Sequence, residues 1–378
     1  MKKALLVSAF YLENSTSRPY HMKLYFESVG YQATVLTTNF NHSSKKHEVI
    51  DSPNVIQLKV PSYSQTFSIK RILSHIIYTF KIKKHIKLGK YDLLYIAVPP
   101  NYSAFIASKY AKKMQKIIVT DIIDIWPQNN GRFPASIILK YWSNMRNKTV
   151  RISDLVLIET NGYQKYINSI RSDFELVYLT KIVEENLAYE NLESVDLSFD
   201  FKIGYLGNFS DSYDFDSLIE IAKLLNRNHK VTLELVGDGY LKKTFINNLD
   251  RNFIQYNDYG IIFEETKKKQ IFQACHFGYN AVKRDVTVGL SYKSIDYLSY
   301  GLPLLNSIGH DTKALIASYN AGINFISPVD AFEQIMNLSN KSYKDMRVGA
   351  KTLFTKCFSI SAFNTRMNEV LKRKEGIL

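Results

Sequence analysis

The stretch GLSYKSIDYLSYGLPLLNS, Gly289–Ser307, decides how the rest of the chain is read. A polar loop runs into a short helix, and Gly301-Leu302-Pro303 then turns the chain into an apolar strand. Glycine accepts the left-handed backbone angles that end helices, and proline cannot continue one. Lys293 and Asp296 stand three residues apart, so both project from one face near the helix start. Beside the free N–H groups there, a cation and a carboxylate suit a phosphate and a sugar diol. The same spacing also makes an ordinary surface ion pair.

Outward from this stretch, apolar runs alternate with helical patterns in both directions. Ala4–Ala9, Gln32–Thr38, Leu93–Val98, Ile117–Thr120 and Leu155–Glu159 read as strands, with helices at His21–Val29, Ile69–Leu88, Ser103–Lys113 and Ala135–Asn147. The alternation restarts with strand Phe201–Leu206 and continues through Val231–Val236, Phe253–Tyr256, Phe277–Val282 and Leu304–Ser307. Such a pattern predicts α/β architecture with parallel sheets covered by helices. It divides into a doubly wound domain over 1–180, a linker of acidic and small residues over 181–200, a second doubly wound domain over 201–358, and a terminal segment, 359–378, holding the helix Ser361–Lys374.

A chain of 378 residues is long enough for two cores. No apolar run approaches the length of a membrane span. Lys2-Lys3 before Ala4–Leu12 resembles a signal peptide, but no small-x-small cleavage site follows, and a buried first strand is the better reading. Cys275 and Cys357 read as reduced core thiols of a cytosolic protein. The net charge is +14, and residues 1–180 hold 25 of the 49 Lys/Arg but 11 of the 35 Asp/Glu, so the whole excess lies in the first half. One domain is thus expected to face something anionic. Ile69–Leu88 is the strongest candidate, with Ile69, Ile72, Leu73, Ile76, Ile77 and Phe80 at helical spacing among Lys70, Arg71, Lys81, Lys83, Lys84 and Lys87. A basic amphipathic helix suits an anionic membrane surface. For Ala135–Asn147, core packing is the expectation.

The opening stretch resembles the donor-sugar motif of family 4 glycosyltransferases, the retaining, nucleotide-sugar-dependent enzymes of bacterial surface-polysaccharide synthesis. Many members read Pro-Ser-Lys-x-x-Glu-Tyr-x-x-x-Gly-x-Pro, which Lys293, Asp296, Tyr297, Gly301 and Pro303 match, with Asp in place of Glu. The resemblance implies two Rossmann-like domains facing across a cleft (GT-B type) and a C-terminal helix crossing back to the first. It also implies a donor, UDP-linked, whose ribose meets Asp296 and whose diphosphate meets Lys293. Where some members carry a first glutamate, this chain has Val288 and Gly289. Gly207, ending the strand at Leu206, corresponds to a family glycine that lets the backbone approach the donor phosphates. Asn208, Ser210 and Asp211 stand where the family often has basic residues, leaving Lys283 and Arg284 as helpers to Lys293. Ser291, Gly260 and Ile262 complete the expected donor side. Val236-Gly237-Asp238-Gly239 matches a frequent family loop and reads as a tight connection. Asp214-Phe215-Asp216 imitates a metal motif, but before a helix aspartate reads as a cap, and no His/Cys cluster has metal-ligand spacing. No metal or other cofactor is expected.

On the acceptor side, Ser17-Arg18-Pro19-Tyr20-His21 resembles an Arg-Pro-Tyr-His run of certain polysaccharide transferases, and Asn41-His42 a Ser-His of the same subgroup. DIIDIWPQ, Asp121–Gln128, resembles a family Asp-Leu-Trp-Pro-Glu element through Asp124, Trp126 and Pro127. Retaining transfer needs positioning and charge stabilisation on the leaving group, the part expected of Lys293. Inverting transfer needs a general base, for which Asp124, His21 and His42 are candidates, and the sequence leaves that choice open. The expected partners are a nucleotide sugar, a lipid-linked saccharide and an anionic membrane surface, on the cytoplasmic face of the cell membrane. A sugar-nucleotide epimerase of the same architecture and a weakly active or non-catalytic nucleotide- or glycan-binding subunit stay open. No nucleic-acid motif is present, so nucleic acid is not an expected partner.

Overall fold

Ala4–Val7 is apolar at every position, and in the computed structural model of the chain it runs buried through the middle of a parallel sheet. The structure describes residues 1–15, 17–65, 68–126, 137–182, 197, 200–284, 286 and 288–374. Most of the 181–200 segment, with Pro127, Gln128 and the start of Ala135–Asn147, lies outside them. The chain forms two compact units, Met1–Thr180 with Phe363–Leu378, and Lys181–Ala362.

In the first unit the strands of the main sheet are β1 (Lys3–Val7), β2 (Gln32–Thr38), β3 (Val55–Leu58), β4 (Leu93–Val98), β5 (Ile117–Ile122), β6 (Leu155–Ile158) and β7 (Glu175–Leu176), with a small antiparallel hairpin, Phe40–Asn41 against Lys46–His47, after β2. The main-sheet strands pair in the order β3-β2-β1-β4-β5-β6-β7, parallel throughout. Helices α1 (Arg18–Ser28), α2 (Ile69–Lys87), α3 (Asn101–Lys113) and α4 (Ile137–Ile152) accompany them. Pro19 sits in the first turn of α1, where its missing N–H costs nothing and its fixed φ suits the helix.

The second unit repeats the plan with β8 (Asp200–Leu206), β9 (Lys230–Val236), β10 (Gln255–Asp258), β11 (Phe277–Asn280), β12 (Leu304–Asn306) and β13 (Gly322–Asn324). Their order is β10-β9-β8-β11-β12-β13, again parallel. Both sheets therefore follow the Rossmann order, which reverses beside the first strand: between β1 and β4, and between β8 and β11. Ligands of open α/β sheets collect outside the strand ends at such a switch point. Tyr205, Phe209, Phe215 and Phe245 fill much of the core beneath β8. Strand β10 begins two residues later than the apolar pattern suggests, because Phe253 takes a left-handed turn (φ 55°) and stands 89% exposed.

The decisive stretch folds as helix α8 (Tyr292–Ser299), numbered after α5 (Phe215–Leu225), α6 (Lys242–Arg251) and α7 (Glu265–Gln273). Ser291 Oγ caps it by accepting the Ser294 N–H at 3.3 Å. At its end Gly301 (φ 66°) donates to the Leu298 carbonyl and Leu302 to that of Tyr297, both at 3.0 Å, the paired bonds of a glycine-terminated helix. Helices α9 (His310–Tyr319), α10 (Pro328–Met336) and α11 (Asn340–Leu353) follow. The last helix, α12 (Ile360–Arg373), returns to the first unit: Asn368 accepts from Tyr25 Oη at 2.8 Å, and Arg366 donates to the Leu176 carbonyl at 2.8 Å.

Candidate functional site

Helix α8 carries Lys293 and Asp296 on neighbouring positions but hands them to different surroundings. Lys293 is 6% exposed, and its Nζ lies 3.6 Å from the ring centre of Tyr213 and 4.9 Å from that of Tyr205. The π faces attract the cation. They offer no lone pair in plane, and Nζ has no hydrogen-bond partner. Burial holds its pKa well below the usual lysine range. Asp296 instead meets Lys181, whose ammonium binds Asp296 Oδ1 and reaches Glu265 Oε2 at 2.7 Å and Tyr300 Oη at 3.3 Å. Burial raises the Asp296 carboxyl against the pull of Lys181. Burial would raise Glu265 too, but Lys181 and Lys268 outweigh it and hold that carboxyl at about 2.

The glycines behind β8 and β9 serve close approach. A Cβ on Gly237 would fall 1.9 Å from the Gly207 carbonyl oxygen, and one on Gly239 2.2 Å from Asn208 Oδ1. The Val236–Gly239 loop is thus a tight connection locked against the β8 turn. Gly207 differs: at φ 136°, a Cβ there would meet only Tyr205 Oη, at 3.8 Å, so its outer side is open. Asn208 is exposed beside it, and the Gly260 carbonyl accepts from Gly237 N–H at 2.7 Å, with Ile262 half-buried beyond. Ser291 Oγ also donates to Asn280 Oδ1 at 3.0 Å, tying the α8 cap to the end of β11. Lys283 and Arg284 are exposed and line a neighbouring cavity of about 550 Å³ with Asp214, Ser307 and His310. Asp214 caps α5, accepting the Ser217 N–H at 3.1 Å. Among the described residues no His, Cys, Asp and Glu side chains cluster to hold a metal.

In the first unit Arg18 is 2% exposed and engaged through Nε and Nη1, while its buried Nη2 has no hydrogen-bond partner. Its Nε pairs with Asp121 Oδ2 at 2.6 Å, and its Nη1 donates to the carbonyls of Val177 and, at 3.2 Å, Tyr178. Tyr95 Oη adds a 2.7 Å bond to Asp121. His21 is buried between Tyr20 and Phe363 with neither ring nitrogen partnered, and burial, then Arg18, push it down to about 4. It is neutral near pH 7, and no face of it reaches solvent. Asp124 is half-buried just past β5, its N–H on the Val98 carbonyl at 3.2 Å. Trp126 packs 6.1 Å from Trp142 and accepts at its carbonyl from Asn101. His42 Nδ1 lies 2.8 Å from Tyr63 Oη and 3.2 Å from Lys45 Nζ. Burial, Arg71 and Lys45 push this imidazole down to about 4.

Helix α2 buries Ser74, Tyr78, Ile82 and Ile86 and leaves much of its other apolar stripe uncovered, with Ile69 85%, Leu73 48% and Phe80 63% exposed. No helix among the described residues is long and apolar enough to cross a membrane. Sequence reasoning missed Lys181, Glu265 and Tyr300 around Asp296, and Tyr205 and Tyr213 around Lys293. Lys181 follows Thr180 in no motif, whereas the tyrosines stood in view beside Gly207 and in the Asp214 loop.

No protein-family profile matches this chain, and no curated protein matches its sequence. Solved structures do. HepE of Anabaena, in complex with UDP and glucose, superposes with a TM-score of 0.67 at 13% identity over 98% of this chain and 100% of its own. A glycosyltransferase of Rickettsia africae ESF-5 gives a TM-score of 0.67 at 12% identity, over 99% of each chain. The lipopolysaccharide outer core galactosyltransferase WaaB, in its apo form, gives 0.64 at 12% identity over 99% of this chain and 100% of its own. Likeness at such identity speaks to architecture: the chain has the two-sheet GT-B fold.

Proposed function

We propose that this chain is a glycosyltransferase that moves a sugar from a nucleoside-diphosphate donor to a saccharide acceptor. One observation carries the reading: Lys293, a cation buried without a hydrogen-bond partner against the rings of Tyr213 and of Tyr205, the latter near the end of β8. A buried ammonium is costly unless something anionic completes it. A diphosphate approaching the Gly207 backbone supplies that charge, and the N-terminus of α8 adds its N–H groups. The solved HepE complex holds UDP and glucose in the same fold, which favours a UDP-linked donor. Asp296 then meets the ribose while paired with Lys181.

In this reading the bond from the anomeric carbon to the diphosphate oxygen breaks as the acceptor oxygen bonds to that carbon on the same face. The acceptor's proton passes to the departing phosphate oxygen. Lys293 stabilises the negative charge that builds there, and no protein base is required. Metal is not needed, because Asp214 is committed to its cap and the site carries its own cation. The acceptor we infer is a lipid-linked saccharide of surface-polysaccharide synthesis, met at the anionic inner face of the membrane. The exposed Ile69, Leu73 and Phe80 of α2, with Lys81, Lys83, Lys84 and Lys87 further along, support that docking.

Screening nucleotide sugars for thermal stabilisation, then for transfer to membrane extracts, tests the reading. Lys293→Ala should cut turnover by about two to three orders of magnitude, the usual cost of one charge-stabilising donor, and wild-type transfer should survive EDTA. Wild-type turnover in the variant would overturn the assignment. Replacing Lys81, Lys83, Lys84 and Lys87 with Glu should release the protein from anionic vesicles, each charge near the surface contributing about 1 kcal/mol. Unchanged sedimentation would remove α2 as the anchor.

A further inference from the structure

Around the carboxyl ends of β1, β2 and β3, the first unit gathers a second set of cations and aromatic rings. Phe10 follows β1, His42 and Lys45 belong to the hairpin after β2, Tyr63 follows β3, and Arg71 and His75 lie in the first two turns of α2. The Phe10 ring lies 5.4 Å from His42 and 5.9 Å from His75, and Tyr63 lies 5.6 Å from His42. Lys45 Nζ stands 5.3 Å above the Tyr63 ring, and the Arg71 guanidinium 5.9 Å from the rings of both Tyr63 and Phe10. A lysine ammonium cannot accept a hydrogen bond, so the 3.2 Å contact from Lys45 makes His42 Nδ1 the acceptor and keeps that ring neutral.

Three features argue that this cluster is built for a ligand. Lys45 takes a left-handed backbone (φ 58°), which costs a β-carbon-bearing residue energy, and thereby sets its ammonium on His42 beside a second cation. Among the described residues no carboxylate pairs with Lys45: Glu48 of the same hairpin is taken by Ser44 and Asn41, and Asp124 acts on Arg71. Finally, His75 Nε2 is buried with no hydrogen-bond partner. Burial first, and then Arg71, also depress Lys45 and both imidazoles. All of it lies at strand carboxyl ends, where open α/β sheets take ligands.

We infer that Lys45, Arg71, His42 and His75, with Phe10 and Tyr63, form an acceptor subsite for an anionic group of a saccharide, a phosphate or carboxylate held by the cations while apolar sugar carbons pack on the rings. This rests on the glycosyltransferase reading for the word acceptor, but not for the binding itself. The anion has two possible sources: the phosphate that links a saccharide to its lipid carrier, or the carboxylate of an acidic sugar.

The test follows the imidazole resonances of the full chain, with histidine labelled by nitrogen-15, in the presence of saturating UDP. UDP binding is measured first and separately, so that failure of the donor reading shows there and not here. Sodium pyrophosphate is titrated in one arm and sodium glucuronate in the other. Movement of the His42 and His75 signals by pyrophosphate identifies the phosphate source; movement by glucuronate identifies the acidic sugar. Lys45→Ala should weaken the effective ligand about tenfold or more, the cost of one charge-assisted contact, while Lys46→Ala, one residue along on the exposed side, leaves it unchanged. Silence of both imidazoles in both arms, or equal binding by Lys45→Ala and wild type, overturns the subsite.

Discussion

Each unit buries a cation near the carboxyl ends of its sheet, and the two are treated in opposite ways. Arg18 in the first unit is 2% exposed and tied to Asp121 and two carbonyls, with Glu159 near enough to act on it. Lys293 in the second is 6% exposed, rests on two tyrosine faces and has no hydrogen-bond partner. The first charge is paired with a carboxylate and serves the fold, with only its Nη2 left unpartnered. The second is left incomplete, a cost that a folded chain accepts where a ligand supplies the missing charge. The difference sorts the expected site residues by their partners rather than by their motifs: the Arg-Pro-Tyr-His run places its arginine and histidine inside the first unit.

The comparison breaks most directly under truncation of each cation. Arg18→Met leaves Asp121 buried without its partner and should cost about 3–5 kcal/mol in urea unfolding of the full chain. Lys293→Met removes an unpaired buried ammonium and should leave stability equal or higher. Equal losses in the two variants would mean that Lys293, too, is a structural charge.

A smaller effect sharpens the same contrast. Glu159 is 6% exposed, and burial chiefly, with Asp121 and Asp124 adding, pushes its carboxyl up to about 8 against the pull of Arg18. Glu159 thus stays the acid at neutral pH. A folded pKa raised above the unfolded value gives stability that is full below the ordinary glutamate range and is lost as pH rises through about 8. Wild-type melting temperature should therefore fall between pH 5 and pH 9, and Glu159→Gln, which stays neutral, should flatten that fall. A wild-type slope retained in the variant would place the alkaline loss elsewhere.

Much of the fold was legible because its central strands are continuous apolar runs, as in β1, β4 and β6, which both faces of a covered parallel sheet require. The edges were not. Strand β3 is largely half-exposed and β7 is two residues long, so neither carries a periodic signal. At the site, the Gly301 stop and the Lys293–Asp296 spacing were readable, since each is local. The partner of Asp296 was not: Lys181 lies 115 positions away in sequence, and the topology of the second unit brings the two together. The Lys45–Arg71 cluster was hidden for the same reason, its parts being drawn from four segments that meet only at the strand ends.

The central claim is that a diphosphate completes Lys293, and UDP binding measured by calorimetry in buffers of different ionisation enthalpy tests it most directly. Burial depresses the Lys293 ammonium in the free protein, and a bound diphosphate raises it again. Wild type should therefore take up protons as UDP binds and bind more weakly as pH rises, whereas Lys293→Met should bind weakly with that uptake gone. Wild-type affinity and unchanged proton uptake in Lys293→Met would contradict the account.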